Sequence, residues 1–217
     1  MRILCIGNSY TYFSDMPSIV SELLNANGVD GKVDAVTVGG RKLYENLTPE
    51  DASCQHIKAL CAQGTYDAVI LQEQSCFPLV DYETFLEGVR GCADLVNAGR
   101  TVLYATWGRK RGSALLAERG WTSEGMTAAL ADAYEKVAQA IGGECAHVGR
   151  CFAAIGATCP EIELYDPDLS HPSYAGSCVA GLALYKTLLG ALPQNTSVLL
   201  LDASVVARLA EVIDTVI

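Results

Sequence analysis

Short apolar runs rich in β-branched residues recur along the chain, each followed by a longer stretch whose apolar positions return at helical spacing. Brief apolar runs mark strands, and the i, i+3, i+4 spacing marks amphipathic helices. The pattern predicts strands over Arg2 to Ile6, Lys32 to Val38, Ala68 to Leu71, Thr101 to Thr106 and Glu144 to Val148. A first helix is announced by Ser14-Asp15 ahead of Pro17, carries Ile19, Val20, Leu23 and Leu24 on one face, and stops at Asn27-Gly28. Proline suits a first helical turn and glycine the residue past the last one. Further helices are expected over Asp51 to Ala62, Tyr82 to Asn97, Ser123 to Ile141, Pro172 to Leu189 and Ala203 to Val216, with no internal repeat or low-complexity segment. Strand and helix alternate, which predicts an α/β three-layer sandwich around a parallel sheet of about five strands. In such sheets ligands bind beyond the carboxyl ends of the strands, so the residues that follow each strand carry the functional expectation.

A length of 217 residues, half of them hydrophobic, suits a single domain with a substantial core. The formal net charge of −10, with Arg109-Lys110-Arg111 as the one basic run, argues against nucleic acid and anionic membrane as partners. That run reads as a solvated loop. Met1-Arg2 leads directly into Ile3-Leu4-Cys5-Ile6, too short an apolar stretch for a signal-peptide core or a membrane span. Nine cysteines, an odd number without CxxC spacing, read as reduced thiols and place the expected location in the cytoplasm.

Behind the first strand lies Gly7-Asn8-Ser9-Tyr10-Thr11, which presents Ser9 on a turn before a helix. A serine there can act as a nucleophile if a base lies beside it, and its backbone N–H can face the developing oxyanion. Alone, it reads equally as a loop serine satisfying backbone groups. Gly39-Gly40, behind the second strand, would let a backbone N–H approach a substrate oxygen, or be an ordinary turn. Gln72-Glu73-Gln74-Ser75, behind the third strand, offers amide donors or a polar loop cap. In Asp168-Leu169-Ser170-His171-Pro172 a carboxylate precedes a histidine by three residues and a proline opens a helix. Such a carboxylate can hold the imidazole in one tautomer through Nδ1–H and leave Nε2 to accept a proton. Helix capping by Ser170 or Asp168 is the alternative. Of the other two histidines, His56 lies in an expected helix and His147 ends an expected strand; neither has an aspartate at comparable spacing, so both read as structural or surface residues.

Together the strand-edge serine, the glycine turn, the polar cluster behind the third strand and the late Asp-x-x-His resemble the SGNH (GDSL-like) hydrolase superfamily across nearly the whole chain, in particular a bacterial branch of it. The resemblance implies a flavodoxin-like fold and removal of acyl groups from esters, often acetyl groups from carbohydrates. By position it implies Ser9 as nucleophile, His171 and Asp168 as the rest of the triad, and the N–H groups of Ser9 and Gly40 as oxyanion donors. Two blocks depart from the family pattern. Asn8 stands where Gly-Asp-Ser has its carboxylate, and Gln72-Glu73-Gln74-Ser75 replaces Gly-x-Asn-Asp, so the third oxyanion donor falls to Gln74, with Gln72 as the alternative. Asn8 and Gln72 are expected at the substrate, and Trp107, behind the fourth strand, as a flat aromatic wall for a sugar or as simple packing.

The resulting expectation is a serine esterase acting on a small-molecule ester, with short acyl groups such as acetyl and acylated carbohydrates as its substrates, and needing no cofactor or metal. An acyltransferase with the same triad and a silent carbohydrate-binding or small-molecule-binding module are the rival readings. Cys76 to Asp81 and Gly108 to Thr122 are the expected rims of the site, the second long enough to form a lid.

Overall fold

In the computed structural model, which describes all 217 residues, five strands form one parallel sheet: β1 (Arg2–Gly7), β2 (Lys32–Thr37), β3 (Ala68–Leu71), β4 (Arg100–Tyr104) and β5 (Glu144–Ala146). Their order across the sheet is β2-β1-β3-β4-β5. The helices are α1 (Ser9–Tyr12), α2 (Met16–Ala26), α3 (Ala52–Cys61), α4 (Phe77–Val80), α5 (Tyr82–Val96), α6 (Ala114–Arg119), α7 (Ser123–Ile141), α8 (Val148–Thr158), α9 (Tyr174–Leu189) and α10 (Ala203–Val216).

The pleat sorts each strand's side chains onto two faces. Ile3, Cys5, Ile70 and Tyr104 join a core with α2, α8, α9 and α10, whereas Leu4, Ile6, Val69, Leu71 and Leu103 join a second core with α3, α5 and α7. Both faces are covered, which is why the central strands read as continuous apolar runs. Helix α9 is buried on nearly every side because α2, α8 and α10 pack around it. This is the flavodoxin-like strand order, with its switch point between β1 and β3, where the chain first turns to one side of β1 and then to the other.

Two expectations need correction. The strand at β5 stops at Ala146, and Val148 already opens α8, a helix the sequence reading left out. Its buried residues Val148, Cys151, Phe152 and Ile155 do carry helical spacing, but the adjoining strand is only three residues long and one residue, His147, separates the two elements. The segment Gly108 to Thr122 contains α6 and is tied down by the buried Leu116 and by bonds from Gly108 N–H to Thr127 Oγ1 and Lys110 N–H to the Leu169 carbonyl. It is held against α7 and Leu169. No helix is long and apolar enough to cross a membrane, and all nine cysteines are free thiols.

Candidate active site

Ser9 follows β1 as the first residue of the one-turn helix α1, with Asn8 as its cap. The turn is tight because Gly7 lets a glutamine cross it: a Cβ there would lie 2.7 Å from Gln72 Oε1 and 2.5 Å from Thr11 Oγ1. Gln72 Oε1 accepts from the Asn8 N–H at 2.9 Å and from the Thr11 hydroxyl at 2.8 Å. Asn8 Oδ1 accepts from the Tyr10 N–H, and Asn8 Nδ2 donates to the Arg41 carbonyl at 2.9 Å. Asn8 and Gln72 are both buried with their polar atoms committed to the protein. Their expected place at the substrate is therefore corrected: they hold the serine turn in position.

Asp168 and His171 stand on a loop closed by an antiparallel bridge between Tyr165 and Pro172 and by the Asp166 N–H on the His171 carbonyl. Asp168 Oδ1 accepts from the N–H groups of Ser170 and His171, both at 2.9 Å, and Oδ2 is hydrogen-bonded to His171 Nδ1. The cap of α9 is Ser173, whose side chain accepts from the Gly176 N–H, so neither Asp168 nor Ser170 is used for capping. His171 Nε2 lies 2.8 Å from Ser9 Oγ. With Nδ1–H donating to the carboxylate, Nε2 offers its lone pair to the serine hydroxyl. Partial burial alone would raise the Asp168 carboxyl, but the bonds from His171 and Ser170 outweigh it and hold the group below its usual range.

The imidazole is oriented by aromatic rings that the sequence reading did not single out. Phe13 stacks on it with centroids 4.2 Å apart, and Tyr10 meets it edge-on. Both sit within four residues of Ser9, and that proximity was the available signal. Trp107 is fully buried, stacked between Tyr10 and Phe152, and donates through Nε1 to the Ser170 carbonyl at 3.0 Å. The aromatic-wall expectation is thus corrected to packing: Trp107 braces the Asp168–His171 loop from inside.

Gly40 has φ +69°, a left-handed backbone that favours glycine, with open space around its α-carbon. It borders an open cleft of about 570 Å³ whose lining includes Arg41, Tyr44, Glu45 and Thr48. Gln74 is half-buried behind β3. Glu73 is fully buried; its carboxylate accepts from the N–H groups of Leu43 and Gln74. Burial pushes the Glu73 carboxyl up to about 7, against the opposing pull of those two N–H groups. A second cleft of about 380 Å³, between α7, α8 and the segment 160–165, includes none of Ser9, Gly40, Gln74 or His171.

Of the basic run, Arg109 donates to Ser75 Oγ, Lys110 pairs with Glu163 and Arg111 with Glu124. Far along the sheet, His147 has an acidic partner that sequence spacing did not reveal: its Nε2 lies 2.9 Å from Glu135 Oε2, and its Nδ1 faces Cys145 Sγ at 3.7 Å. These three residues form the one group able to approach a metal ion. The two ring nitrogens face different partners, Nε2 the carboxylate and Nδ1 the thiol.

Sheet order defines the class, a flavodoxin-like α/β protein, and at its switch point a hydroxyl, an imidazole and a carboxylate stand in one hydrogen-bonded row. No family model and no curated protein matches the sequence. Among solved structures, a protein of Slackia heliotrinireducens assigned to the SGNH hydrolases is 33% identical, with 87% of this chain and 98% of that one covered and a TM-score of 0.76. The chain belongs to the SGNH (GDSL-like) hydrolase superfamily, and ester hydrolysis is the activity that goes with it at the level of the family. Two more distant structures share the fold. A DUF4886 family protein from Bacteroides uniformis is 14% identical with a TM-score of 0.82 over 99% of this chain and 93% of its own. Est24, a carbohydrate acetylesterase from Sinorhizobium meliloti, is 17% identical with a TM-score of 0.56 over 87% and 98%.

Proposed function

We propose that the chain is a serine esterase that removes short acyl groups, such as acetyl, from small-molecule esters, acylated carbohydrates among them. The observation that carries the reading is the unbroken chain from Ser9 Oγ through His171 to Asp168, with 2.8 Å between hydroxyl and imidazole. Ser9 Oγ attacks the ester carbonyl while His171 Nε2 takes its proton, and the Ser9 and Gly40 N–H groups with the Gln74 amide receive the oxyanion. His171 returns the proton to the leaving alcohol. Water then attacks the acyl-enzyme with His171 again as base, releasing the acid and restoring Ser9. Every proton is carried by His171 or water, so the cycle calls for no cofactor.

Two further features support the finer reading. The cleft beside Gly40 offers Glu45 and Thr48 to the hydroxyls of an alcohol, and Tyr12 and Tyr44, both solvent-exposed, offer apolar ring faces to a sugar. The same fold serves a carbohydrate acetylesterase in Est24. Exposure of the base favours hydrolysis over transfer: 26% of the His171 side chain and 45% of the Asp168 side chain are accessible, so water reaches the acyl-enzyme.

The test is turnover of a chromogenic acetate ester by the wild type beside Ser9→Ala, with a fluorophosphonate probe to label the nucleophile. Turnover and labelling that both vanish in Ser9→Ala support the esterase. A folded wild type that neither turns over nor labels favours a binding module.

A further inference from the structure

Three loops meet around Ser9, and each pair is joined by one buried polar side chain. Gln72 joins the β3 loop to the serine turn through the Asn8 N–H and the Thr11 hydroxyl. Asn8 joins the serine turn to the β2 loop through the Arg41 carbonyl. Glu73 closes the triangle. Its carboxylate takes the Leu43 N–H at 3.1 Å from the β2 loop and the Gln74 N–H at 2.5 Å from its own.

We propose that Glu73 is a positioning residue of the oxyanion site: its buried carboxylate clamps the loop carrying Gly40 to the loop carrying Gln74 and so fixes the spacing between these two donors. The inference rests on the reading of Gly40 and Gln74 as donors given above. Several features bear on it. The clamp bites at both ends on main-chain N–H groups, which fix backbone position more directly than side-chain contacts do. Leu43 lies three residues from Gly40, and Gln74 is itself one of the clamped residues. The outer end of the β2 loop is held as well, since Arg41 bonds Asn46 Oδ1 and the Glu45 carbonyl and pairs with Asp51. The inner end of the β3 loop is anchored in the core, because the Glu73 N–H donates to the Tyr134 hydroxyl at 3.0 Å. Burial of a carboxyl with no cation bonded to it is costly, and a core that needed only filling would be served by an apolar residue there. Oxyanion donors must lie within a few tenths of an ångström of the developing charge, so a clamp that sets their separation acts on the transition state more than on substrate binding.

The experiment is a double-mutant cycle of Glu73→Gln and Gln74→Ala, read as kcat and KM on the acetate ester with active-site titration, and with thermal unfolding to establish that each variant is folded. The amide of Glu73→Gln retains one acceptor oxygen for two donors. It is expected to lower kcat by about 10- to 100-fold with KM within about twofold, and to cost clearly less once Gln74 is already alanine, because residues that act through one another are not additive. A loss by the same factor in both backgrounds makes Glu73 a fold-supporting residue and overturns the proposal, as does a wild-type kcat in Glu73→Gln when Gln74→Ala is slow. A wild-type kcat in Gln74→Ala alone is a different failure, in which the donor assignment falls and the clamp has nothing to position. Where Glu73→Gln does not fold, Glu73→Asp, which keeps the charge and shortens the reach, carries the same cycle.

Discussion

The molecule holds two rows of hydroxyl or thiol, imidazole and carboxylate: Ser9–His171–Asp168 at the switch point of the sheet and Cys145–His147–Glu135 at its edge strand. By connectivity they are alike, and by surroundings they are not. His171 presents Nε2 to its hydroxyl at 2.8 Å, with Ser9 opening the one-turn helix behind β1 and His171 on the loop before α9. His147 presents Nδ1 to a thiol at 3.7 Å that burial pushes up to about 12, and burial first, then Arg150, lowers the imidazole itself. A thiol so far above neutral pH is not a nucleophile. The lesson is that three residue types in a row do not make a reactive site. Exposure of the ring, 26% of the His171 side chain against 13% for His147, and burial of the thiol are what separate the two.

The largest expected effect breaks the first row at its head. Ser9→Ala should lower kcat by about 10⁶-fold, whereas Cys145→Ala should leave it within about twofold. A large loss in Cys145→Ala, measured on the same acetate ester, would reverse the comparison. Next, Asp168→Asn removes the acceptor that fixes the His171 tautomer, and a fall of about 10⁴-fold is expected. Glu135→Gln, its counterpart at the edge strand, should not affect turnover. If Asp168→Asn loses less than about tenfold, its two backbone bonds to Ser170 and His171 are its main role, and the imidazole is held by Phe13 and Tyr10 instead.

The third expectation concerns what stands behind each histidine. Trp107 is sandwiched between Tyr10 and Phe152 and holds the Ser170 carbonyl. Trp107→Ala should cost about 3–5 kcal/mol, seen as a fall in unfolding midpoint on the order of 10 °C. A shift of only a degree or two would mean that the loop carrying Asp168 and His171 is braced elsewhere.

Much of this was legible in the sequence. The five strands were, the central β1, β3 and β4 because covered sheet faces force continuous apolar runs, and so was the pairing of Asp168 with His171, because three residues of separation within one loop leave few ways for them not to meet. Helix α8 was hidden by a strand too short to show its own period. Asn8, Gln72 and Trp107 were expected to face the substrate and instead face inward. Residue type gives the hydrogen-bonding capacity of such a side chain, but only packing decides whether protein or ligand fills it. The Glu135–His147 pair joins a long helix to the residue after a strand, and no local spacing encodes such a meeting.

The smallest expected effect separates the two carboxylates nearest the proposed site by the sign of their pH dependence. Asp168 is held below its usual range, so the stability it contributes is present above the ordinary carboxylate pKa and is lost as pH falls through its lowered value. Glu73 runs the other way. With its carboxyl pushed up to about 7, the folded chain binds that proton more tightly than the unfolded chain does, so its contribution is full below about pH 4.3 and declines as pH rises to about 7. Glu73→Gln cannot titrate, so the difference in unfolding midpoint between wild type and Glu73→Gln should move in favour of the variant between pH 5 and pH 8. Midpoints that stay parallel across that range would mean that Glu73 is ionised throughout and held as a carboxylate by the two N–H groups of its clamp. A difference that moves means instead that Glu73 ionises at neutral pH at some expense of stability.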